Sequence, residues 1–260
     1  MLKFSIANAK IKALAQVEEL KKYLIGRKVY SLDLLSGWSC PFAKDCLAKV
    51  HVINSKKKLI DGPETEFRCF SASQEVIYPA VYMNRKHNFD SLKKLSKEQM
   101  VELINDSLPK DLGICRTHVA GDMFSQRHFD AWMEVANINQ DRLFYAYTKS
   151  LPYWVARLDE IPENFILTAS YGGRYDSMIS EYNLRYSKVV FSEQEAKDLG
   201  LPIDHTDEFA ANPKYRNTSL ALLIHGIQKA NTDASKAISN LKKNKVQFSY
   251  NKNTNYATAN

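Results

Sequence analysis

The chain has 260 residues, 45% of them hydrophobic and 25% charged, which supplies enough apolar surface for a sizeable buried core. With 9 Gly and 8 Pro it is neither collagen-like nor low-complexity, and disorder is excluded as its main state. The formal charge of +7 is moderate and unevenly placed: residues 228–260 hold Lys229, Lys236, Lys242, Lys243, Lys245 and Lys252 against the single acid Asp233.

Such a Lys-rich segment either meets nucleic-acid phosphates by counterion release or forms a solvated helix with a frayed end. No apolar run approaches the roughly 18 residues that span a bilayer, so no membrane contact is expected. The amino terminus lacks a signal-peptide core, and a cytoplasmic protein is expected. In a reducing compartment the four cysteines are metal ligands or buried thiols, not disulfides.

In chain order, residues 1–110 have weak periodicity and form an irregular, cysteine-bearing half. Helices are expected at 18–24 and at 97–106, the latter capped by Ser96, with a basic turn at Lys56, Lys57 and Lys58. From residue 111 the pattern becomes regular. Strands are expected at 114–119, 143–147, 165–169, 189–191 and 202–205, with helices between them at 126–135, 152–158, 175–182 and 193–199. The first of these helices carries an apolar stripe of Phe129, Trp132, Met133 and Ala136. Strand-helix alternation implies parallel strands with right-handed crossovers, hence an α/β fold: an incomplete parallel (β/α) barrel or an open sheet. Residues 1–250 then make one domain, and 251–260 a flexible tail.

In such folds chemistry gathers at the carboxyl ends of the strands. Ser125, Ser150 and Ser192 at these ends are expected to cap helices. His118, Asp122, Lys149 and Arg174 are expected to share one rim, as a binding site for a small anionic ligand or as an internal ion-pair network around Asp122.

Cys40, Cys46, Cys69 and Cys115 can complete a tetrahedral zinc site or an iron–sulfur cluster, and their spacing does not choose between the two. Burial alone would account for Cys115 more readily than for the loop cysteines Cys40 and Cys46.

The stretches SGWSCPFAKDC at 36–46, RTHVAGDMFSQRHFDAWMEVA at 116–136, FYAYTKSLPYW at 144–154 and LLIHGIQKA at 222–230 together resemble the gene-product-88 family of phage proteins. The resemblance covers about 31–241. It implies a radical-SAM-like partial barrel with iron–sulfur cysteine loops, in the cytoplasm of the host cell. Cys40 and Cys46 match its amino-terminal loop, Arg85 and Asn88 an R-x-x-N pattern, and His118, Gly121, Asp122, Thr148, Lys149 and Ser150 its strand-end motifs. The chain departs from radical-SAM enzymes in lacking a C-x3-C-x2-C triplet, and from family members in having no cysteine after Cys115.

The expectation is therefore an iron–sulfur protein with one 4Fe-4S cluster on Cys40, Cys46, Cys69 and Cys115, serving electron transfer, redox or sensing with a redox partner protein. Two alternatives stand beside it. One is a degenerate radical-SAM-type enzyme, in which one cysteine is not a ligand and S-adenosylmethionine or another small molecule sits near Lys149. The other is a zinc-stabilised nucleic-acid-binding protein that uses the Lys-rich carboxyl-terminal segment.

Overall fold

The structure, a computed structural model, describes residues 1–247, so the tail expected at 251–260 lies outside the described residues. Its strands are β1 (Phe4–Ile6), β2 (Lys28–Leu32), β3 (Ala48–Ile53), β4 (Lys56–Asp61), β5 (Leu112–Thr117), β6 (Leu143–Thr148), β7 (Phe165–Ser170), β8 (Tyr186–Val190) and β9 (Leu220–Leu223). Seven of them form one sheet in the order β1-β2-β5-β6-β7-β8-β9. β1 pairs antiparallel to β2, and every other pair in this sheet is parallel. Apart from the separate β3–β4 hairpin the order follows the chain, and β1 and β9 remain as unjoined edges. The architecture is an open α/β sheet, not a closed barrel.

The central strands are buried on both faces, as parallel strands between helical layers must be. Along them the side chains alternate. Cys115, Phe144, Ala146, Phe165 and Leu167 enter a core with Phe129, Trp132, Met133 and Ala136 of the helix Gln126–Ile138 and with Met100 and Ile104 of the helix Lys97–Ser107. Ile114, Tyr145 and Ile166 face the opposite way, into a core with Ile11, Leu14, Leu20 and Ala210 from the segments before β2 and after β8.

The helices Glu18–Leu24 and Lys97–Ser107 form where the sequence places them, the second with a reciprocal capping box between Ser96 and Gln99. Ser125 and Ser192 cap their helices through backbone amides of His128 and Glu195. Ser150 does not: its hydroxyl donates to the carbonyl of Met123 at 2.7 Å, tying the end of β6 to the loop after β5.

Three expectations are corrected. The first half is not irregular, because β2 lies in the main sheet beside β5 and the helices Phe70–Ile77 and Pro79–Leu92 follow the hairpin. The lysines 56–58 are strand, not turn. Asn54 and Ser55, both with positive φ (49° and 61°), make the turn, as a tight twisted hairpin requires. Finally, 202–205 is not the last strand: Ile203 makes a single bridge to Ala221 of β9, which takes that place in the sheet.

Candidate functional site

The Cys40 loop is fixed from two sides. Gly37 takes a φ of +71°, and a Cβ there would lie 2.3 Å from the carbonyl oxygen of Ala48, so only glycine lets the loop approach β3 this closely. The Gly37 amide donates to Cys40 Sγ at 3.4 Å. On the other side the Lys44 and Asp45 amides donate to the Gly172 carbonyl at 3.1 and 3.0 Å, and the Arg174 amide donates to that of Phe42 at 2.9 Å. The cysteine loop is thereby latched onto the loop after β7.

Cys69 comes from a third direction, immediately before the helix Phe70–Ile77. The backbone beside it is clamped by Gln228, whose Oε1 accepts from the Arg68 amide at 2.6 Å and whose Nε2 donates to the Arg68 carbonyl at 3.0 Å. Near the end of this helix Glu75 is fully buried. It accepts from the Ser36 amide and hydroxyl and from Arg85, so one carboxylate locks the loop before Cys40 to the helix after Cys69. Arg85 also approaches Asp33 at 3.8 Å, while Asn88 bonds the backbone of Lys3 and Asp33. The R-x-x-N residues thus hold the scaffold together.

These segments and the carboxyl ends of β5 to β9 enclose a cavity of about 170 Å³. Cys40, Cys46 and Cys69 line it together with Arg116, His118, Asp122, Tyr147, Lys149 and His225. Burial pushes the Cys40 thiol well above its usual range, reinforced by the nearby Asp122, Cys69 and Cys46. Burial likewise pushes Cys46 up to about 11, opposed by the cation of Lys149. Buried thiols that disfavour one another's ionisation gain from a shared cationic centre.

Two predicted residues stand apart. Cys115 is fully buried in the first core, on the face of β5 opposite to Ile114, and does not line the cavity. Burial raises its pKa strongly. Arg174 does not join the rim either. It points outward, 46% exposed, and pairs with Glu64 at 3.4 Å.

The other three predicted rim residues meet at the cavity, each already held. Asp122 accepts from the Thr148 hydroxyl at 2.6 Å and from the Met123 and Lys149 amides at 2.7 and 2.8 Å. Burial still raises its pKa. Lys149 Nζ donates to the Ser170 hydroxyl at 2.8 Å and to the carbonyls of Ser170 and Tyr171. The Asp122 carboxylate is therefore met by Lys149's backbone, not by its ammonium, which corrects the expected ion pair.

His118 has a φ of +70°, a left-handed conformation uncommon for a residue with a side chain. Its Nδ1 lies 2.9 Å from the Leu32 carbonyl, so that nitrogen carries the proton and Nε2 a lone pair, which has no partner. The neighbouring His128 accepts from Trp132 through Nε2, leaving its own proton on Nδ1, which is also without a partner. Burial drives both rings toward the neutral form, His118 to about 4.

Arg116, Tyr147 and His225 are lining residues that sequence reasoning missed. Arg116 pairs with Asp207, to which Tyr145 also donates, and its guanidinium lies 4.8 Å from the centre of the Tyr147 ring. A readable signal existed. Residues 116 and 118, 147 and 149, and 222 and 224 have the parity of one sheet face, whereas 115 has the other.

Fold and site thus define an α/β protein with an open sheet and a three-cysteine cavity at its carboxyl edge. The gene product 88 family matches residues 2–244, and the chain belongs to that family. No curated protein and no solved structure matches it. Among the described residues, no group of three or more His, Cys, Asp or Glu converges so as to hold a metal ion.

Proposed function

We propose that the protein is an iron–sulfur protein in which Cys40, Cys46 and Cys69 would hold a 4Fe-4S cluster, leaving one iron free to take a small ligand. One observation carries this reading: three cysteines distant in sequence line one cavity, and the fourth is packed into the core. A mononuclear zinc site needs its donors to converge on a single point, which the described thiols do not do. A cluster spreads its metals over a volume, so thiols ranged around a cavity suit it better.

The bound cluster would supply one-electron chemistry at a potential set by its charge, burial and hydrogen bonds to sulfur. The chain's own residues contribute the rest. The Gly37 amide bonds the Cys40 sulfur and favours the thiolate. Lys149, fixed by three acceptors, holds a cation beside Cys46. Asp122, fixed by three donors, sets the opposite charge on the same wall. Arg116 adds a second cation to the cavity wall, oriented by its pairing with Asp207, that would favour an anionic ligand.

This arrangement favours a ligand-binding cluster over pure electron transfer, because three protein thiolates leave one iron without a cysteine. Anaerobic reconstitution tests the reading. A brown protein with roughly four irons and matching sulfide per chain is expected, whereas a colourless protein retaining one zinc would reject it. S-adenosylmethionine and simple anions can then be added to the reduced protein. A shift in its electron paramagnetic resonance signal identifies the open iron, and an unchanged signal with every ligand returns the site to electron transfer.

A further inference from the structure

The β3–β4 hairpin turns one face, with Ala48 and Val50, inward, where Val50 is buried and Lys57 reaches the Glu75 carbonyl. Its other face presents Lys49, His51 and Ile53 opposite Ile60, Lys58 and Lys56. Ile53 and Ile60 are 39% and 46% exposed. The hairpin's single carboxylate, Asp61, lies on the inward side and is engaged by Arg68 at two hydrogen bonds. The outer face is therefore cationic and apolar, with no acid on it.

At the end of this face stands Trp38, from the cysteine loop, 43% exposed. Its indole nitrogen is anchored to the Val50 carbonyl at 3.0 Å, the His51 ring lies 5.0 Å away, and the Lys49 ammonium sits 4.8 Å from its ring centre. Alternate residues on a strand are about 7 Å apart, so Lys56 and Lys58 continue the row of cations that Lys49 begins.

We propose that this face binds single-stranded nucleic acid, with a base stacked on Trp38 and the backbone running along Lys49, Lys58 and Lys56. A rigid aromatic platform beside a cationic track is the arrangement that binds single strands without reading sequence. The site is distinct from the Lys-rich carboxyl-terminal segment and does not depend on any metal in the cavity.

The full chain reports its own binding, because Trp132 and Trp154 are 0% and 8% exposed and Trp38 is the accessible indole. Titration with a 15-nucleotide oligothymidylate should quench tryptophan fluorescence saturably. With three phosphate contacts, raising salt from 50 to 200 mM should weaken binding roughly twentyfold, and only two- to threefold in Lys56→Ala/Lys58→Ala. Anisotropy of a labelled oligonucleotide should show weaker binding to Trp38→Ala, with Trp38→Phe retaining most of it. Three results would each overturn the proposal: no binding, equal quenching by polyglutamate, which would make the face a dock for acidic protein, or affinity that survives the hairpin substitutions but is lost in Lys242→Ala/Lys243→Ala.

Discussion

His118 concentrates several costs in one residue. It is 3% exposed, sits at a positive φ, and leaves Nε2 without a hydrogen-bond partner. Its pKa falls from 6.5 to about 4, so the unfolded chain binds a proton more readily than the folded one between those values. Folding stability is therefore complete above about pH 6.5 and declines as pH falls toward 4, by on the order of 3 kcal/mol for this group. His118→Asn, which suits a left-handed backbone, should flatten that part of the profile. Urea unfolding at pH 7.5 and pH 5 checks this: the wild type should lose clearly more stability on acidification than the variant. Polar residues at strand ends made His118, Asp122 and Lys149 legible in the sequence. Arg174 misled because the loop before it is turned to receive the Lys44 and Asp45 amides, leaving its side chain outside. Cys115 misled because both faces of β5 are buried, so burial alone does not separate it from the cavity face; only the alternation with Arg116 and His118 does.

Among the elements, the helix Phe70–Ile77 does most to assemble the site, bringing Cys69 in at its start and Glu75 near its end. The buried Glu75–Arg85 pair, at 3.2 Å, is the joint between that helix, its successor and the loop leading to Cys40. Burial raises the pKa of Glu75 despite Arg85, so the arginine's removal leaves a carboxylate that burial penalises. Arg85→Ala should cost about 3–5 kcal/mol, and the double replacement Glu75→Gln/Arg85→Met markedly less. Thermal unfolding of the three proteins measures this, and a double replacement as unstable as Arg85→Ala would show that the pair is not coupled. Gly37→Ala should also destabilise the cysteine loop, since its Cβ would overlap the Ala48 carbonyl at a φ that disfavours side chains. These elements were not legible. The helix Pro79–Leu92 buries Arg85 and Asn88 with Leu92 instead of an apolar stripe, so periodicity does not reveal it. β2 is a five-residue segment whose place beside β5 depends on contacts more than 80 residues distant. The helices Gln126–Ile138 and Glu193–Asp198, capped by Ser125 and Ser192, were readable from local pattern alone.

At the scale of the molecule, the sheet's chain-following order sets the carboxyl ends of β5, β6, β7, β8 and β9 side by side, and the cysteine segments close over them. Three of the walls, the 36–46 loop, the Cys69 helix and the segment after β9, are attached through side-chain and loop hydrogen bonds more than through sheet pairing. A bound cluster should therefore stabilise these walls more than the sheet. Hydrogen exchange before and after oxidative removal of iron is expected to show protection lost at 36–75 and 225–230 and retained in β5 to β7. Uniform loss throughout would indicate one cooperative unit.

The most direct measurement is the iron and sulfide content of the anaerobically reconstituted protein and its four single Cys→Ser variants. The wild type and Cys115→Ser should each hold roughly four irons per chain, the latter with stability reduced by about 1–3 kcal/mol for its buried hydroxyl. Cys40→Ser, Cys46→Ser and Cys69→Ser should each lose most of the iron. If Cys115→Ser loses as much iron as the other three, or if all four retain it, the three-cysteine cavity is not a cluster site.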